Sequence, residues 1–236
     1  MERINTEEVK VLYENVTEVW PTEDLWHSYS KRNIDAYVKK QSYSDHAYIL
    51  NAGSGGSTYG IANRMHHLDI AENLIAHLPE FTVGSMEQLP FTSASFSDII
   101  CVGSVLNYCD AVSSIMELAR VVTPGGSLIL EFESSWGFEH IQNKGYKQSA
   151  LLVEVEYSSQ LTRQWVYDPS YIIKILEQAG FKIVDSFRFH YLSGLHYSRY
   201  QDSNKASKYT AVDSFIRRLP GLKNRSNNVI YRCVKI

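Results

Sequence analysis

The sequence predicts an α/β fold with a mostly parallel sheet and helices on both of its faces. Short apolar runs at 47–52, 96–102 and 127–132 are typical of buried strands, and they alternate with stretches that have helical spacing. The first run continues directly into a glycine-rich turn that ends at Gly60. With 236 residues, 44% of them hydrophobic, the chain is long enough to fill one large core.

Composition narrows the class of protein. The formal net charge is −3, which gives no general electrostatic attraction to nucleic acids or anionic lipids. Three cysteines without regular spacing indicate reduced, buried thiols, and we expect neither a disulfide framework nor a metal site. The sequence has no signal peptide and no apolar run of about 18 residues, so we expect a cytoplasmic protein without a membrane span.

The glycine turn differs from the better-known phosphate-binding loops. No Gly-Lys-Ser/Thr ends it, and Thr58 stands where a dinucleotide fingerprint that opens at Gly53 would need glycine. Asp69 lies near the end of the next apolar segment, 65–70. A carboxylate at the end of the second strand of a Rossmann-like sheet is placed to bind a ribose diol. The turn and Asp69 together predict a nucleoside ligand.

Four blocks occur in a familiar order and spacing, at Asn51 to Gly55, at Asp69, at Gly84 to Phe91 with Phe96 to Asn107, and at Glu117 to Glu131. In these blocks the chain resembles the class I S-adenosylmethionine-dependent methyltransferases, in particular the type 11-like, short-loop subgroup. The resemblance implies a Rossmann-like, seven-stranded, mostly parallel sheet with an antiparallel last strand. It also implies methyltransferase activity with S-adenosyl-L-methionine as the cofactor.

Two features depart from the family pattern. Only sixteen positions separate Gly53 from Asp69, so the first helix should be cut to about a turn or replaced by a loop. Ser85 stands where the family usually has an acid, so adenine recognition should depend on backbone groups and on Met86 or Glu87. With these departures, the resemblance implies cofactor contacts from Tyr13, Asn51, Ala52, Gly53, Ser54, Gly55, Asp69, Ile70, Ser85, Met86, Glu87, Gly103 and Ser104.

The residues before the glycine turn have helical spacing at Thr6 to Val19 and at Leu25 to Val38, with Pro21 between them. By resemblance this pair is a lid over the cofactor; the alternative is an amphipathic pair that simply packs on the sheet. We expect one methyltransferase domain over 1–236. It would comprise a helical lid (1–46), a cofactor-binding core (47–133) and an acceptor-side insertion with the last strands (134–236).

The segment after the core has weaker signals. Its patterns predict, in order, a hairpin at Leu151 to Tyr157 and Leu161 to Tyr167 with a turn at Ser158 to Gln160, a helix from Asp168 to Ala179, a strand from Phe181, a helix at Val212 to Leu219 and a final strand at Asn228 to Val234. Tyr191 to Tyr209 has no clear period, which predicts an ordered loop over the pocket or a mobile segment. The turn at Thr123 to Gly126 should lead into the strand that starts at Ser127.

Methyl transfer needs little catalytic machinery, because the sulfonium carbon is already activated and the enzyme mainly positions the acceptor and excludes water. An oxygen acceptor still benefits from a base with a pKa near neutrality. His140, after the fifth strand, and His27, in the lid, are the candidates, although each could equally be a structural histidine. Asn107 and Tyr108 should lie near the reaction centre, unless Asn107 caps a helix.

The hypothesis that follows is a methyltransferase for a small molecule or a saccharide-type intermediate, with oxygen as the favoured acceptor. One alternative is a nucleic-acid or protein methyltransferase that uses the basic segment Arg217 to Arg225 as a foothold, although such a short run is more often a solvated face. Another alternative is a non-catalytic protein that binds S-adenosylmethionine. The sequence does not determine the oligomeric state.

Overall fold

The computed structural model describes residues 4–16, 18–157 and 160–236. The strands are β1 (Tyr48–Ala52), β2 (Arg64–Asp69), β3 (Phe81–Val83), β4 (Phe96–Cys101), β5 (Val122–Glu133), β6 (Ala150–Tyr157), β7 (Gln160–Tyr167), β8 (Phe181–Phe189) and β9 (Asn228–Lys235). The α-helices are α1 (Thr6–Glu14), α2 (Leu25–Lys39), α3 (Glu72–Ile75), α4 (Ala111–Val121), α5 (Pro169–Gln178), α6 (Leu192–Tyr200), α7 (Ser203–Ser207) and α8 (Thr210–Ile216). Two short 3₁₀ helices lie at Val105–Tyr108 and Phe138–His140.

Seven strands form the main sheet, in the order β3-β2-β1-β4-β5-β9-β8. The pairs from β3 to β5 are parallel, and β9 runs antiparallel to both of its neighbours, β5 and β8. The predicted Rossmann-like sheet with an antiparallel last strand is therefore confirmed. The strand order reverses between β1 and β4, and open α/β sheets bind ligands at such a point, beyond the carboxyl ends of the strands.

Both faces of the central strands are buried, which explains their continuous apolar runs. Leu50 and Ile99 pack on one face with residues of α4 and α5, whereas their neighbours Ile49 and Ile100 pack on the other face with residues of α2. All four side chains are at most 1% exposed. Each contributes about 1.5–3 kcal/mol by leaving water, so the sheet gives the ligand-binding ends of β1 and β4 a rigid base.

The connection between β1 and β2 is as short as the sequence predicts, since residues 53–63, all described, form turns and no helix. The first helix, however, is shorter than expected: α1 ends at Glu14 and does not reach Val19. Asn15 Nδ2 donates to the Val11 carbonyl at 2.7 Å, and such a side-chain bond competes with helical bonds. The predicted turn at Thr123 to Gly126 is present as a bulge within β5: this strand begins at Val122, but its pairing with β4 passes from Val122 directly to Ser127, and φ at Gly125 is +77°.

The segment Tyr191 to Tyr209, predicted as an ordered loop over the pocket or a mobile segment, forms α6 and α7 instead. Its buried contacts are polar and aromatic, which hid its helical period: Ser193 Oγ donates to Asp213, and the Tyr197 ring stacks on Trp26 at 4.2 Å between centroids. The helix predicted at Val212 to Leu219 is α8 and begins two residues earlier. Ser158 and Ser159 of the predicted hairpin turn lie outside the described residues.

The β6–β7 hairpin forms a separate two-stranded sheet beside the carboxyl ends of β4 and β5. An isolated bridge from Ser134 to Tyr167 and a hydrogen bond from Asn107 Nδ2 to the Trp165 carbonyl hold it there. Within the described ranges, no helix has the length and apolar character needed to cross a membrane.

Candidate active site

A first cavity, which we call the cofactor cavity, lies at the carboxyl ends of β1, β2 and β4 and contains about 920 Å³ of empty space. The structure brings together around it ten of the residues expected to bind cofactor: Tyr13, Gly53, Ser54, Gly55, Asp69, Ile70, Ser85, Met86, Glu87 and Gly103. Asn51 and Ala52 lie buried behind it, and Ser104 lines a neighbouring cavity.

The glycine turn forms the floor of the cofactor cavity. Gly53 and Gly55 have φ values of +69° and +51°, a region that favours glycine, and a Cβ on Gly53 would overlap the Val105 side chain. Asn51 Nδ2 donates to Ser54 Oγ at 3.2 Å and to the Ser57 carbonyl at 2.7 Å. The Asn51 side chain therefore holds the turn in shape from inside the protein.

Asp69 ties the end of β2 to the glycine turn. Its Oδ2 accepts from the Gly55 N–H at 2.8 Å, and its Oδ1 accepts from the Ala71 N–H at 3.0 Å. Burial raises the pKa of Asp69, while these backbone hydrogen bonds lower it. The carboxyl group is thus fixed in a wall of the cavity, where a ribose diol could donate to it.

Sequence reasoning missed an ion pair in the same cavity. Lys31 Nζ and Asp35 Oδ2, on successive turns of α2, are 2.7 Å apart, and both residues line the cofactor cavity. Their i,i+4 spacing is that of an ordinary surface ion pair, so the sequence alone gave no signal. A cation beside an anion complements a zwitterionic amino-acid group. Together, the glycine turn, Asp69, the apolar residues Ile70 and Met86, and this ion pair fit a nucleoside that carries an amino-acid tail.

A second cavity, which we call the acceptor cavity, adjoins the first and contains about 1830 Å³ of empty space. Its walls come from α2, the segment after β5, the β6–β7 hairpin and α6. Trp20, Gly103 and Tyr108 line both cavities. A Cβ on Gly103 would lie 3.3 Å from Trp20 Cζ2, so the absence of a side chain lets the indole approach this junction.

Two buried carboxyl groups hold the loop at the junction. Glu131 accepts from the N–H groups of Gly103 at 2.9 Å and Ser104 at 2.6 Å, and burial raises its pKa to about 7. Glu133 accepts from Ser104 Oγ at 3.1 Å and from Gln164 Nε2 at 2.6 Å. Burial also raises the pKa of Glu133, against the effect of these hydrogen bonds. Glu133 lines the acceptor cavity, whereas Glu131 supports the loop from behind.

Both predicted histidines line the acceptor cavity. His27 Nδ1 lies 2.8 Å from Asp24 Oδ2, and the His27 backbone N–H donates to Asp24 Oδ1 at 3.0 Å. Although burial raises the pKa of Asp24, the contacts with His27 outweigh it and hold this pKa below its usual range. Burial lowers the pKa of His140 to about 4, so this imidazole is neutral at pH 7.

Glu139 is a further carboxyl group in the acceptor cavity that sequence reasoning missed. Asn227 Nδ2 donates to its Oε1 at 2.6 Å, and His140 Nε2 lies 3.5 Å from the same oxygen. Burial raises the pKa of Glu139 to about 8, so it holds its proton at pH 7. A Glu beside a His in a polar loop is usually exposed, so only the fold shows that this one is buried.

Several buried polar atoms of the acceptor cavity have no hydrogen-bond partner among the described residues. They are Trp26 Nε1, His27 Nδ1, Glu139 Oε2, His140 Nε2, Asn227 Oδ1 and Asn228 Oδ1, and all six residues line this cavity. His27 Nδ1 lies 2.8 Å from Asp24 Oδ2, but not in the geometry of a hydrogen bond. Buried polar groups in proteins are nearly always paired. The cavity is therefore suited to a ligand rich in polar groups.

Asn107, expected near the reaction centre, lies within the protein. Its Nδ2 donates to the carbonyls of Glu133 and Trp165, and its Oδ1 accepts from the Glu133 N–H at 3.0 Å. These bonds join β5 to the hairpin, which gives Asn107 a structural role. Tyr108 does line both cavities, as expected for a residue near the reaction centre.

Comparison with known proteins agrees with this geometry. Residues 47–130 match the family model described as a methyltransferase domain. Among curated proteins, demethylmenaquinone methyltransferase of Deinococcus radiodurans is 38% identical over 50 residues, which is 21% of each chain. The match thus spans about a fifth of the length of that relative.

Solved structures share the fold over nearly the whole chain. The [4+2]-cyclase SpnF matches with a TM-score of 0.64 and 14% identity, over 100% of this chain and 97% of that one. The 1,6-didemethyltoxoflavin-N1-methyltransferase of Burkholderia thailandensis, solved with S-adenosylhomocysteine, matches with a TM-score of 0.57 and 14% identity, over 97% of this chain and 86% of that one. Residues 47–130 are therefore similar to a methyltransferase domain, and the solved structures show that nearly the whole chain has the fold of such proteins.

Proposed function

We propose that this chain methylates an oxygen atom of a small, polar acceptor of the saccharide type. The observation that carries the proposal is the junction of the two cavities at Gly103, between Trp20 and Tyr108. One cavity has the features of a nucleoside site, and the other is lined by polar and titratable side chains. Their common boundary is where a methyl group would pass from cofactor to acceptor.

In the cofactor cavity, Asp69 would accept from the ribose hydroxyls and Ile70 and Met86 would flank the adenine. The Lys31–Asp35 pair would hold the amino-acid group. The glycine turn leaves room for the ligand against the backbone, since Gly53 and Gly55 present no Cβ. When bound, S-adenosylmethionine supplies an electrophilic methyl carbon whose bond to sulfur breaks as the acceptor oxygen attacks.

His27 is the base that the geometry favours. A carboxylate at Nδ1 stabilises the tautomer that carries the proton there, which leaves Nε2 free to take the proton of the acceptor hydroxyl. The imidazolium that forms is then stabilised by Asp24, 2.8 Å away. His140 lacks such a partner, since Glu139 beside it is protonated at pH 7. We therefore assign His140 to holding the acceptor through hydrogen bonds.

The position of the basic segment favours a small acceptor over a nucleic acid. Arg217 and Lys223 line a cleft along the edge strand β8, and no described residue of the segment 217–225 lines the acceptor cavity. The Arg225 guanidinium packs against the rings of Trp136 and Tyr146, at 6.0 and 5.4 Å from their centroids. A nucleic acid on these cations would not approach the junction of the cavities.

The test combines a binding and a turnover measurement. Calorimetry should show that S-adenosylmethionine and S-adenosylhomocysteine bind with micromolar affinity. Incubation with methyl-labelled cofactor and a small-molecule extract of the source cells should give a labelled product that resists mild base, as methyl ethers do. A methyl ester would lose its label in base. Binding without label in any small molecule would support the non-catalytic alternative, and label in RNA or protein would support the macromolecular one.

A further inference from the structure

The Asp, Glu, Lys and Arg side chains that line the acceptor cavity are all acidic. They are Glu133, Glu139, Glu154 and Glu156, and no Lys or Arg among the described residues lines this cavity. The whole chain is nearly balanced, with 23 Lys and Arg against 26 Asp and Glu. The excess of acidic over basic side chains is therefore a local property of the cavity and does not follow from the overall composition.

The two inner carboxyl groups matter most, because they are removed from water. The Glu139 side chain is 3% exposed, and Glu133 is held by Ser104 and Gln164. Glu154 and Glu156 lie on the exposed rim, and Arg163 stands opposite Glu154 in the hairpin register. The charge of the rim is thus partly balanced, whereas no described cationic side chain balances the inner pair within the cavity.

Two of the unpaired atoms are acceptors of fixed orientation, although Trp26 Nε1 is an unpaired donor. Asn227 Nδ2 donates to Glu139, and Asn228 Nδ2 donates to Glu131, at 2.6 and 2.7 Å. These bonds fix the orientation of both amides, so that the unpaired atom of each is its oxygen. The cavity wall thus has two amide oxygens without a donor, and the unpaired Glu139 Oε2 becomes a third acceptor when this carboxyl group releases its proton to the bound cation's surroundings. An ammonium group is the complementary ligand, since it has three donors and no acceptor.

Aromatic side chains complete the wall, as the cavity is also lined by Tyr13, Trp20, Trp26, Tyr108, Tyr157 and Tyr197. Aromatic rings beside carboxylates are the usual surroundings of a bound organic cation, because the ring faces are negative. An anionic acceptor would be repelled by ionised Glu133, and it would keep Glu139 protonated without gaining an attractive partner among the carboxyl groups.

We propose that the acceptor is an amine-bearing, hydroxylated small molecule that binds as a cation, with its ammonium group held by Glu133 and Glu139. The inference rests on the proposed function, because it assigns the substrate class of the same site. The ammonium group anchors the molecule, and a hydroxyl elsewhere on it faces the junction at Gly103. Phosphorylated or carboxylated acceptors are excluded by the same carboxyl groups.

Matched triplets of ligands test the charge preference without requiring turnover. Glucosamine, glucose and glucuronate share one ring, and benzylamine, benzyl alcohol and benzoate share another. With the protein saturated in S-adenosylhomocysteine, we expect each amine to bind at least tenfold tighter than its alcohol, and each carboxylate to bind most weakly, by saturation-transfer NMR and fluorescence titration. Amines that bind no better than their alcohols in both triplets, or that do not bind at all, would overturn the proposal.

Two substitutions locate the preference. Glu133→Gln and Glu139→Gln should each reduce the advantage of amine over alcohol at least fivefold, while Glu177→Gln, in the cleft along β8, should leave it unchanged. An advantage that persists in both cavity variants would show that the cation is held elsewhere. The main test is the binding of the ligand triplets to the wild-type protein. It therefore remains valid if a variant fails to fold.

Turnover separates this inference from the proposed function. A labelled product retained by a cation exchanger at pH 7 would support both. A labelled product that is neutral or anionic would overturn the cationic acceptor and leave the methyltransferase assignment intact. An amine preference without any labelled product would count against catalysis alone.

Discussion

The two cavities of this protein are built in different ways. One part of the cofactor cavity is formed by backbone groups and one carboxylate, which come from two strand ends close in sequence, at Gly53 to Gly55 and Asp69. The acceptor cavity is lined by many separate segments between Tyr13 and Asn228, mostly through their side chains. Recognition by backbone restricts which residues can stand in a turn, so it leaves a motif in the sequence. Recognition by side chains from distant segments leaves none.

The largest effect should come from the histidines of the acceptor cavity. If His27 is the base, His27→Asn should lower kcat by about 10²–10⁴-fold, the usual range for loss of general base catalysis. Cofactor affinity should not change, because the His27 side chain does not line the cofactor cavity. His140→Asn should act mainly on KM. Steady-state kinetics decides between them, and a kcat loss in the His140 variant alone would reverse the two roles.

On the cofactor side, the glycine turn should be the most sensitive element. Gly53→Ala should destabilise the protein by about 2–5 kcal/mol, from the left-handed strain of about 1–2 kcal/mol and overpacking against Val105 of about 1–3 kcal/mol. It should also weaken S-adenosylhomocysteine, because the added Cβ displaces Val105 or the turn that lines the cavity. Gly125→Ala is the matched control, since its φ is +77° but no atom lies within 4 Å of the added Cβ. The control should lose stability and keep its affinity. Equal calorimetric affinities in the two variants would contradict a close approach at Gly53.

Asp69→Ala should have the next largest effect, about 1.5–3 kcal/mol on cofactor affinity, the scale of a lost charged hydrogen bond. Asp69→Asn is the control, because one amide oxygen can still accept from Gly55 or from the ribose. Calorimetry should rank the affinities as wild type, Asn variant and Ala variant. An Ala variant with wild-type affinity would mean that another residue holds the ribose.

The sequence predicted the sheet and ten residues of the cofactor cavity because both depend on local patterns. In the sequence, buried strands are recognised as apolar runs, and the turn is recognised by glycines at fixed distances from Asp69. It missed Lys31 and Asp35 because their spacing is common on helix surfaces. It missed the buried state of Glu139 because that depends on Asn227, 88 positions away along the chain. Asn107 was placed near the reaction centre because the sequence predicted the strand β7 but not that it packs against the loop that carries Asn107.

The buried acid of the acceptor cavity should also be visible in protein stability. Glu139, with its pKa raised to about 8, stays protonated when folded but ionises in the unfolded chain above about pH 4.3. The unfolded state therefore binds fewer protons, and the free energy of unfolding falls as pH rises to 8. His140, with a pKa of about 4, has the opposite effect, but only below about pH 6.5.

From pH 6.5 to 8 the effect of His140 is absent, and a comparison with Glu139→Gln cancels the contribution of Glu131, whose pKa of about 7 lies in the same range. The charge of Glu139 is opposed by Glu133 and Asp213, while Asn227 and neutral His140 lie beside it. Over this window wild type should lose about 1–2 kcal/mol more stability than Glu139→Gln, as measured by urea unfolding. Parallel pH profiles would show that Glu139 is already ionised at pH 6.5, and its role as the anchor of an ammonium group would then not involve proton release.

The smallest expected effect concerns the part of the cofactor cavity that is built from side chains. Lys31→Met should weaken S-adenosylhomocysteine by about 0.5–1 kcal/mol, because its ammonium is 41% exposed and such pairs contribute little in water. Lys10→Met is the control, since Lys10 and Glu14 form a similar i,i+4 pair at 3.8 Å on α1 that does not line the cavity. The Lys10 variant should bind as wild type does. An equal loss in both variants would show that the overall charge of the protein affects binding. No loss in either variant would mean that the glycine turn holds the amino-acid group of the ligand. The ligand would then be recognised almost entirely by backbone groups of the cofactor cavity.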